Sequence, residues 1–121
     1  MAKIISTDYV CSLDYAFRRV GGKYKGRILW YIHAHKNVLR YGELKRLLQN
    51  ITPKMLTQTL RELEEDHLIS RHVYHEVPPR VEYALTATGK ELIPFISHLK
   101  QWGDKQIRQE KKKAQTATAL V

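Results

Sequence analysis

Residues 41–66 constrain the fold more than any other part of the chain, because they read as two short amphipathic helices separated only by residues 49–52. In the first, residues 41–49, Leu44, Leu47 and Leu48 share one face, Lys45 and Arg46 take the other, and Asn50 is a natural stop. The second opens at Thr52-Pro53. A hydroxyl there accepts from free backbone N–H groups, and a proline follows at the first helical position, where its missing donor costs nothing. Met55, Leu56, Leu60 and Leu63 then fall on one face with Thr59 at its border, opposite Lys54, Thr57, Gln58 and Arg61. Glu62, Glu64, Glu65 and Asp66 concentrate acid at the far end, which orients the N-terminal end toward a phosphate-rich partner.

The flanking segments complete the pattern. Upstream, Leu13, Ala16, Phe17 and Val20 recur at helical spacing, Gly21-Gly22 interrupts, and Ile28, Leu29 and Ile32 resume. Downstream, Arg71, Val73, Tyr74 and His75 are compatible with a strand, Pro78-Pro79 halts the run, and Val81, Tyr83 and Leu85 alternate with period two. Two strands joined by a proline-containing tip make a hairpin. Thr86 caps a final helix carrying Leu92, Phe95, Ile96, Leu99 and Trp102 on its apolar face, with a kink expected at Pro94. Lys111-Lys112-Lys113 and the residues after them have no apolar face and read as a frayed tail. The expected fold is mainly α with a small β-hairpin: a winged helix-turn-helix with extra N- and C-terminal dimerisation helices. Residues 1–110 form its single domain and 111–121 a basic disordered tail. In such a fold the helix before the turn braces a recognition helix that enters the major groove, and the hairpin tip, here residues 76–80, reaches backbone or minor groove alongside.

Charge points the same way. The 121 residues carry 21 Lys plus Arg against 12 Asp plus Glu, a net charge of +9. With 43% hydrophobic and 27% charged residues, the chain has material for one modest core and is not compositionally disordered. Such an excess favours a polyanion, nucleic acid first and an anionic membrane surface second. Residues 23–54 hold Lys23, Lys25, Arg27, Lys36, Arg40, Lys45, Arg46 and Lys54 against Glu43 alone. For a single residue a solvated surface is the simpler account; for this whole segment beside a recognition helix, DNA is favoured. Charges interrupt every apolar segment well before the roughly 18 to 20 residues of a membrane-spanning helix. Residues 1–11 show no export-leader core, so a cytoplasmic chain without membrane association is expected.

Side-chain chemistry assigns the candidate DNA-binding residues. Arg61 and Lys54 can donate to guanine edges or phosphates, Gln58 can pair with adenine through two bonds, and Thr57 can touch a phosphate or a thymine methyl. Thr52 serves first as a cap, ahead of Pro53, and second as a phosphate contact. Arg80, beyond Pro78-Pro79, suits a narrow minor groove or a plain phosphate contact.

Several of these segments resemble the HxlR-type transcriptional regulators, a bacterial and archaeal winged-helix family related to the MarR-type proteins. The resemblance rests on Cys11 opening the first helix and on the runs GGKYKG at 21–26, RYGEL at 40–44, ITPKMLT at 51–57, LRELE at 60–64 and VPPRVEY at 77–83. Tyr24 and Tyr41 stand where the family usually has Trp and often Phe, which keeps an aromatic core role. The resemblance implies a homodimeric DNA-binding regulator without enzymatic activity or cofactor, and two-fold symmetry implies a pseudo-palindromic double-stranded operator. The dimer seam is expected to join the first helix with the last, since the apolar face of 92–102 exceeds what one small domain buries.

The single cysteine, Cys11, cannot close an intramolecular disulfide. It carries two readings. At a helix N-terminus, with Arg18 and Arg19 nearby in sequence, it sits where an anion is favoured, which suits a redox or electrophile sensor. Some HxlR-type regulators use the corresponding cysteine so, and the resemblance extends the scheme to Cys11. The other reading is a small residue tolerated near a cap or seam. No metal site is expected: His33 and His35 lie on different faces of a helix, and His72 and His75 on opposite faces of a strand. Two other functional classes compete. One is a winged-helix protein-interaction module without specific DNA binding, separable by salt dependence. The other is a small enzyme acting on an anionic substrate, for which no nucleophile and base are recognisable.

Overall fold

The computed structural model describes residues 11–119, so the leader reading of residues 1–10 lies outside the described residues. Helices α1 (Ser12–Val20) and α2 (Lys25–Ala34) part at the glycine pair, where Gly22 takes a φ of 88° that favours a residue without Cβ. Helix α2 sinks Ile28, Leu29 and Ile32 into the core. Beyond it Lys36 and Asn37 adopt positive φ, and Asn37 N donates to Ile32 O at 2.8 Å, turning the chain back. The reversal leads into β1 (Val38–Arg40), a strand that the sequence does not announce. Three residues with only Leu39 buried are too few to display an alternation. Helix α3 (Tyr41–Leu48) follows at once, its first turn held by the Glu43 carboxylate, which accepts from Arg40 N at 3.0 Å.

The connection to α4 (Pro53–Glu65) is as short as expected. Gln49 turns it with a φ of 55°, Ile51 is buried in it, and Thr52 Oγ1 accepts from Met55 N at 3.1 Å with Pro53 at the first helical position. Leu44 and Leu48 of α3 and Leu56, Leu60 and Leu63 of α4 belong to one buried cluster. The buried stripe of α4 is Leu56, Thr59, Leu60 and Leu63, so the expected face is rotated by one position: Met55 is exposed and Thr59 buried. Thr59 tolerates burial because its hydroxyl donates to Met55 O at 2.7 Å inside the same helix.

Strands β2 (Ile69–Tyr74) and β3 (Arg80–Leu85) form the expected hairpin, but β1 adds to it. The sheet is three-stranded and antiparallel in the order β1-β3-β2, with Leu39 opposite Tyr83, and Ile69 opposite Leu85. Thr86 then caps α5 (Ala87–Glu91), accepting from Gly89 N at 3.0 Å and donating to His67 O at 2.6 Å. Gly89 is buried against Leu68, whose carbonyl a Cβ at 89 would strike. The expected single final helix is in fact two, since α6 (Ile93–Ala119) begins afresh. Pro94 stands second in it, where it needs no intrahelical donor, and therefore marks a break between helices rather than a kink within one.

The basic tail is also corrected: residues 111–119 continue α6. Lysine, glutamine and alanine are good helix formers, and the hydroxyls of Thr116 and Thr118 donate to Lys112 O and Ala114 O at 3.0 and 2.9 Å. No helix among the described residues is long and apolar enough to cross a membrane.

Candidate nucleic-acid interface

Burial of Leu56, Thr59, Leu60 and Leu63 decides what α4 shows to solvent. Lys54, Gln58 and Arg61 are exposed and Thr57 half-buried, and their spacing of three and four aligns them on one outer stripe. The seat of that stripe is fixed at its start, where Tyr41 Oη donates to Pro53 O at 3.4 Å and Thr52 holds Met55 N. Thr57 and Arg61 also line a cleft of about 410 Å³ with Tyr41, Glu64, Arg71 and Tyr83. Arg71, placed by the sequence only in a strand, thus joins Thr57 and Arg61 by the register that sets it opposite Tyr83.

Gln58 is not free. Its Nε2 donates to Glu62 Oε1 at 3.1 Å, and Glu62 Oε2 lies 3.2 Å from Lys25 Nζ on α2. The Gln58 hydrogen bond, helped by Lys25 and opposed by slight burial, holds the Glu62 carboxyl below its ordinary range. Lys25 Nζ donates as well to Arg18 O at 3.2 Å, so the end of α1, the start of α2 and the outer edge of α4 are tied together. Sequence reasoning counted Lys25 only as one more cation and Glu62 only as part of an acidic end.

The wing departs from expectation in its arginine. Arg80 opens β3, its guanidinium 3.9 Å from the Tyr74 ring centroid and its Nε 3.7 Å from Glu76 Oε1 and 3.6 Å from Glu82 Oε2. It lies half-buried along the wing rather than reaching out from the tip, where Val77 is fully exposed beside Pro78 and Pro79. Arg40, half the width of the sheet away on β1, shares Glu82 at 3.9 Å. Both arginines border an open groove of about 710 Å³ between the wing and the start of α3.

Cys11 occupies the N-cap of α1 and is exposed, its carbonyl accepting from Tyr15 N at 3.2 Å. Arg18 pairs with Asp14 at 3.3 Å and Arg19 stacks on Tyr15. The apolar residues assigned to a seam divide. Ile96 is buried and Leu92 packs against the same core, whereas Phe95, Leu99 and Trp102 are exposed, Trp102 by 61%. Leu13 and Phe17 of α1 and Ile107 further along α6 are exposed as well. Among the described residues no three His, Cys, Asp or Glu side chains gather as a metal ion would need.

A brace helix, a tightly connected helix with a polar outer stripe and an adjoining sheet with its wing define a winged helix-turn-helix protein. The chain belongs to the HxlR-like helix-turn-helix family, whose model matches residues 19–111. It is 49% identical over 96 residues to an HTH-type transcriptional regulator of Methanothermobacter thermautotrophicus, covering 79% of this chain and 72% of that one. It is 44% identical over 102 residues to the HTH-type transcriptional regulator YkvN of Bacillus subtilis, covering 84% and 85%. Among solved structures it is similar to the redox regulator HypR in its reduced form, with a TM-score of 0.76, 37% identity and coverage of 84% of this chain and 99% of that one.

Proposed function

We propose that this protein is a homodimeric, sequence-specific DNA-binding transcriptional regulator that lays α4 in the major groove. The observation that carries the reading is the outer stripe of α4. Lys54, Thr57, Gln58 and Arg61 stand together on a helix whose inner face is locked into the core. Its relatives are transcriptional regulators rather than enzymes. Thr52 and Pro53 set the start of the helix, and Arg80 contributes to a phosphate contact from the wing, released from Glu76 and Glu82 when DNA replaces them.

The dimer reading rests on Leu13, Phe17, Phe95, Leu99 and Trp102, large apolar side chains that one protomer leaves in water. Helices α1, α2 and α6 enclose an apolar groove of about 450 Å³ lined by Phe17, Trp30, Phe95 and Leu99, which the second copy covers. A two-fold dimer presents its recognition helices about 34 to 36 Å apart, which calls for a pseudo-palindromic operator. Cys11 adds the finer reading of a redox- or electrophile-responsive regulator, supported by its exposure at the N-cap and by the likeness to a redox regulator. Two Cys11 thiols of a dimer would join as a disulfide, giving two protons and two electrons to an oxidant, and α1 would carry the change to the seam.

The test compares binding to a selected operator and to random duplex. Arg61→Ala and Gln58→Ala should each reduce operator preference by about 1 to 3 kcal/mol if the contact is bidentate, and Lys54→Ala should weaken all sequences evenly. Unchanged ratios in the Arg61 and Gln58 variants would remove α4 from the role of recognition helix.

A further inference from the structure

The amide of Gln58 is oriented by Glu62, one turn further along the same helix, and Glu62 is itself held from outside that helix. Glu62 presents two oxygens to two different partners, Oε1 to Gln58 Nε2 at 3.1 Å and Oε2 to Lys25 Nζ at 3.2 Å. An ionised carboxylate only accepts hydrogen bonds, so the end of Gln58 that faces it is necessarily the NH₂. The carbonyl oxygen of Gln58 is thereby turned away from Glu62, together with the second N–H. Left alone, the two ends of this amide are nearly isosteric and exchange by a half-turn. The carboxylate that prevents the exchange is itself anchored. The Lys25 side chain is only 16% exposed and its Nζ also donates to Arg18 O at 3.2 Å, so α1 and α2 together fix the position of Glu62. The same contacts favour the ionised form of Glu62.

Orientation of that amide has a chemical consequence in the major groove. Adenine offers an acceptor at N7 and a donor at N6, whereas guanine offers two acceptors, N7 and O6. An amide that shows one oxygen and one N–H matches adenine. An NH₂ with both hydrogens free would serve guanine, but Glu62 already holds one of them. We propose that Glu62, anchored by Lys25, is a specificity-determining positioning residue that makes Gln58 select adenine over guanine. The inference rests on the reading of α4 as the recognition helix and deepens it.

The experiment uses the full-length protein and duplexes that differ by A·T to G·C at the base pair whose preference Gln58→Ala abolishes. Glu62→Gln preserves the shape but can face either end of the Gln58 amide, so it should lose about tenfold in adenine-over-guanine preference. Its affinity for random duplex should hold or rise, because a negative charge has left the DNA side. Lys25→Met should lose less in the same direction. Gln58→Ala combined with Glu62→Gln should be no less selective than Gln58→Ala alone, a non-additivity that a merely structural role of Glu62 would not produce. Glu62→Ala, which removes the acceptor altogether, repeats the test should Glu62→Gln fold poorly. Full retention of the adenine preference in a folded Glu62 variant, or losses that add in the double variant, overturns the proposal while leaving α4 as the recognition helix. If Gln58→Ala leaves every base preference intact, the groove role of Gln58 fails and this inference falls with it.

Discussion

The outer face of α4 and the outer faces of α1 and α6 are both open to solvent, yet they are built in opposite ways. On α4 the apolar residues other than Met55 are used up internally: Leu56, Leu60 and Leu63 are buried, and what remains outside is mostly polar, Lys54 and Arg61 included. On α1 no residue is buried, and Leu13 and Phe17 are exposed by 64% and 54%. Helix α6 gives only Ile93 and Ile96 fully to the core and leaves Phe95, Leu99, Trp102 and Ile107 outside. The first region is complete in one protomer and offers hydrogen-bond donors and charge to a partner. The second is incomplete and offers mainly apolar area, which water disfavours by roughly 25 cal/mol per Å². One molecule therefore carries two surfaces of different physics, and the proposed function assigns a polyanion to the first and a second copy to the second.

The sharpest way to break this contrast is to change one leucine in each region. Leu60→Ala, at a site only 2% exposed, should lower folding stability by about 2 to 5 kcal/mol in a denaturant titration. Leu99→Glu, at a site 52% exposed, should leave the fold of a protomer intact but place a charge in the seam and shift sedimentation from dimer to monomer. A Leu99→Glu protein that stays dimeric would move the seam off α6, and one that unfolds would mean Leu99 belongs to the core.

Smaller effects sharpen the account of α4. Thr52→Ala removes the acceptor of Met55 N and should cost about 1 kcal/mol of stability, seen as a lower denaturation midpoint. A loss of DNA affinity without a loss of stability would instead make Thr52 a phosphate contact first. The smallest effect concerns acid. The Glu62 carboxyl is held below its ordinary value of 4.5 by Gln58 and Lys25, so its contribution to stability is present above about that pH and is lost as pH falls through the lowered folded value. Glu62→Gln should flatten this part of the acid stability profile below pH 4.5 and leave the neutral region alone. An unchanged profile would mean that the Gln58 and Lys25 contacts add nothing in solution.

Much of this arrangement is legible in the order of residues. Thr52-Pro53 announces the start of α4 because both residues act within the first turn, and the spacing of Leu56, Leu60 and Leu63 repeats often enough over 13 residues to fix a buried side. The one-position error at Met55 and Thr59 arises because threonine reads as polar, although a helical hydroxyl can satisfy itself on the preceding turn. Short or distant features are not legible. Strand β1 has three residues and owes its place to pairing with β3, some 45 positions further on. Arg80 reads as a free cation at a tip, but the strand pairing sets Tyr74 beside it, and Glu82, two residues along the same strand, pairs with it. Lys25 and Glu62 meet only because the fold brings the start of α2 to the edge of α4, and no local pattern could reveal that contact. The division of Ile96 from Phe95 likewise depends on which side of α6 meets α2, and the apolar spacing alone does not say.

The central claim is that the outer stripe of α4 reads a DNA sequence from a two-fold dimer. Its most direct test is selection of duplexes from a random pool by the purified protein, followed by sequencing of the bound fraction. The account predicts enrichment of an inverted repeat whose half-sites are centred about 10 to 10.5 base pairs apart, or a multiple of that, with enrichment lost in Arg61→Ala. A bound fraction with no enriched sequence, or an enriched site that Arg61→Ala and Gln58→Ala select equally well, would contradict it.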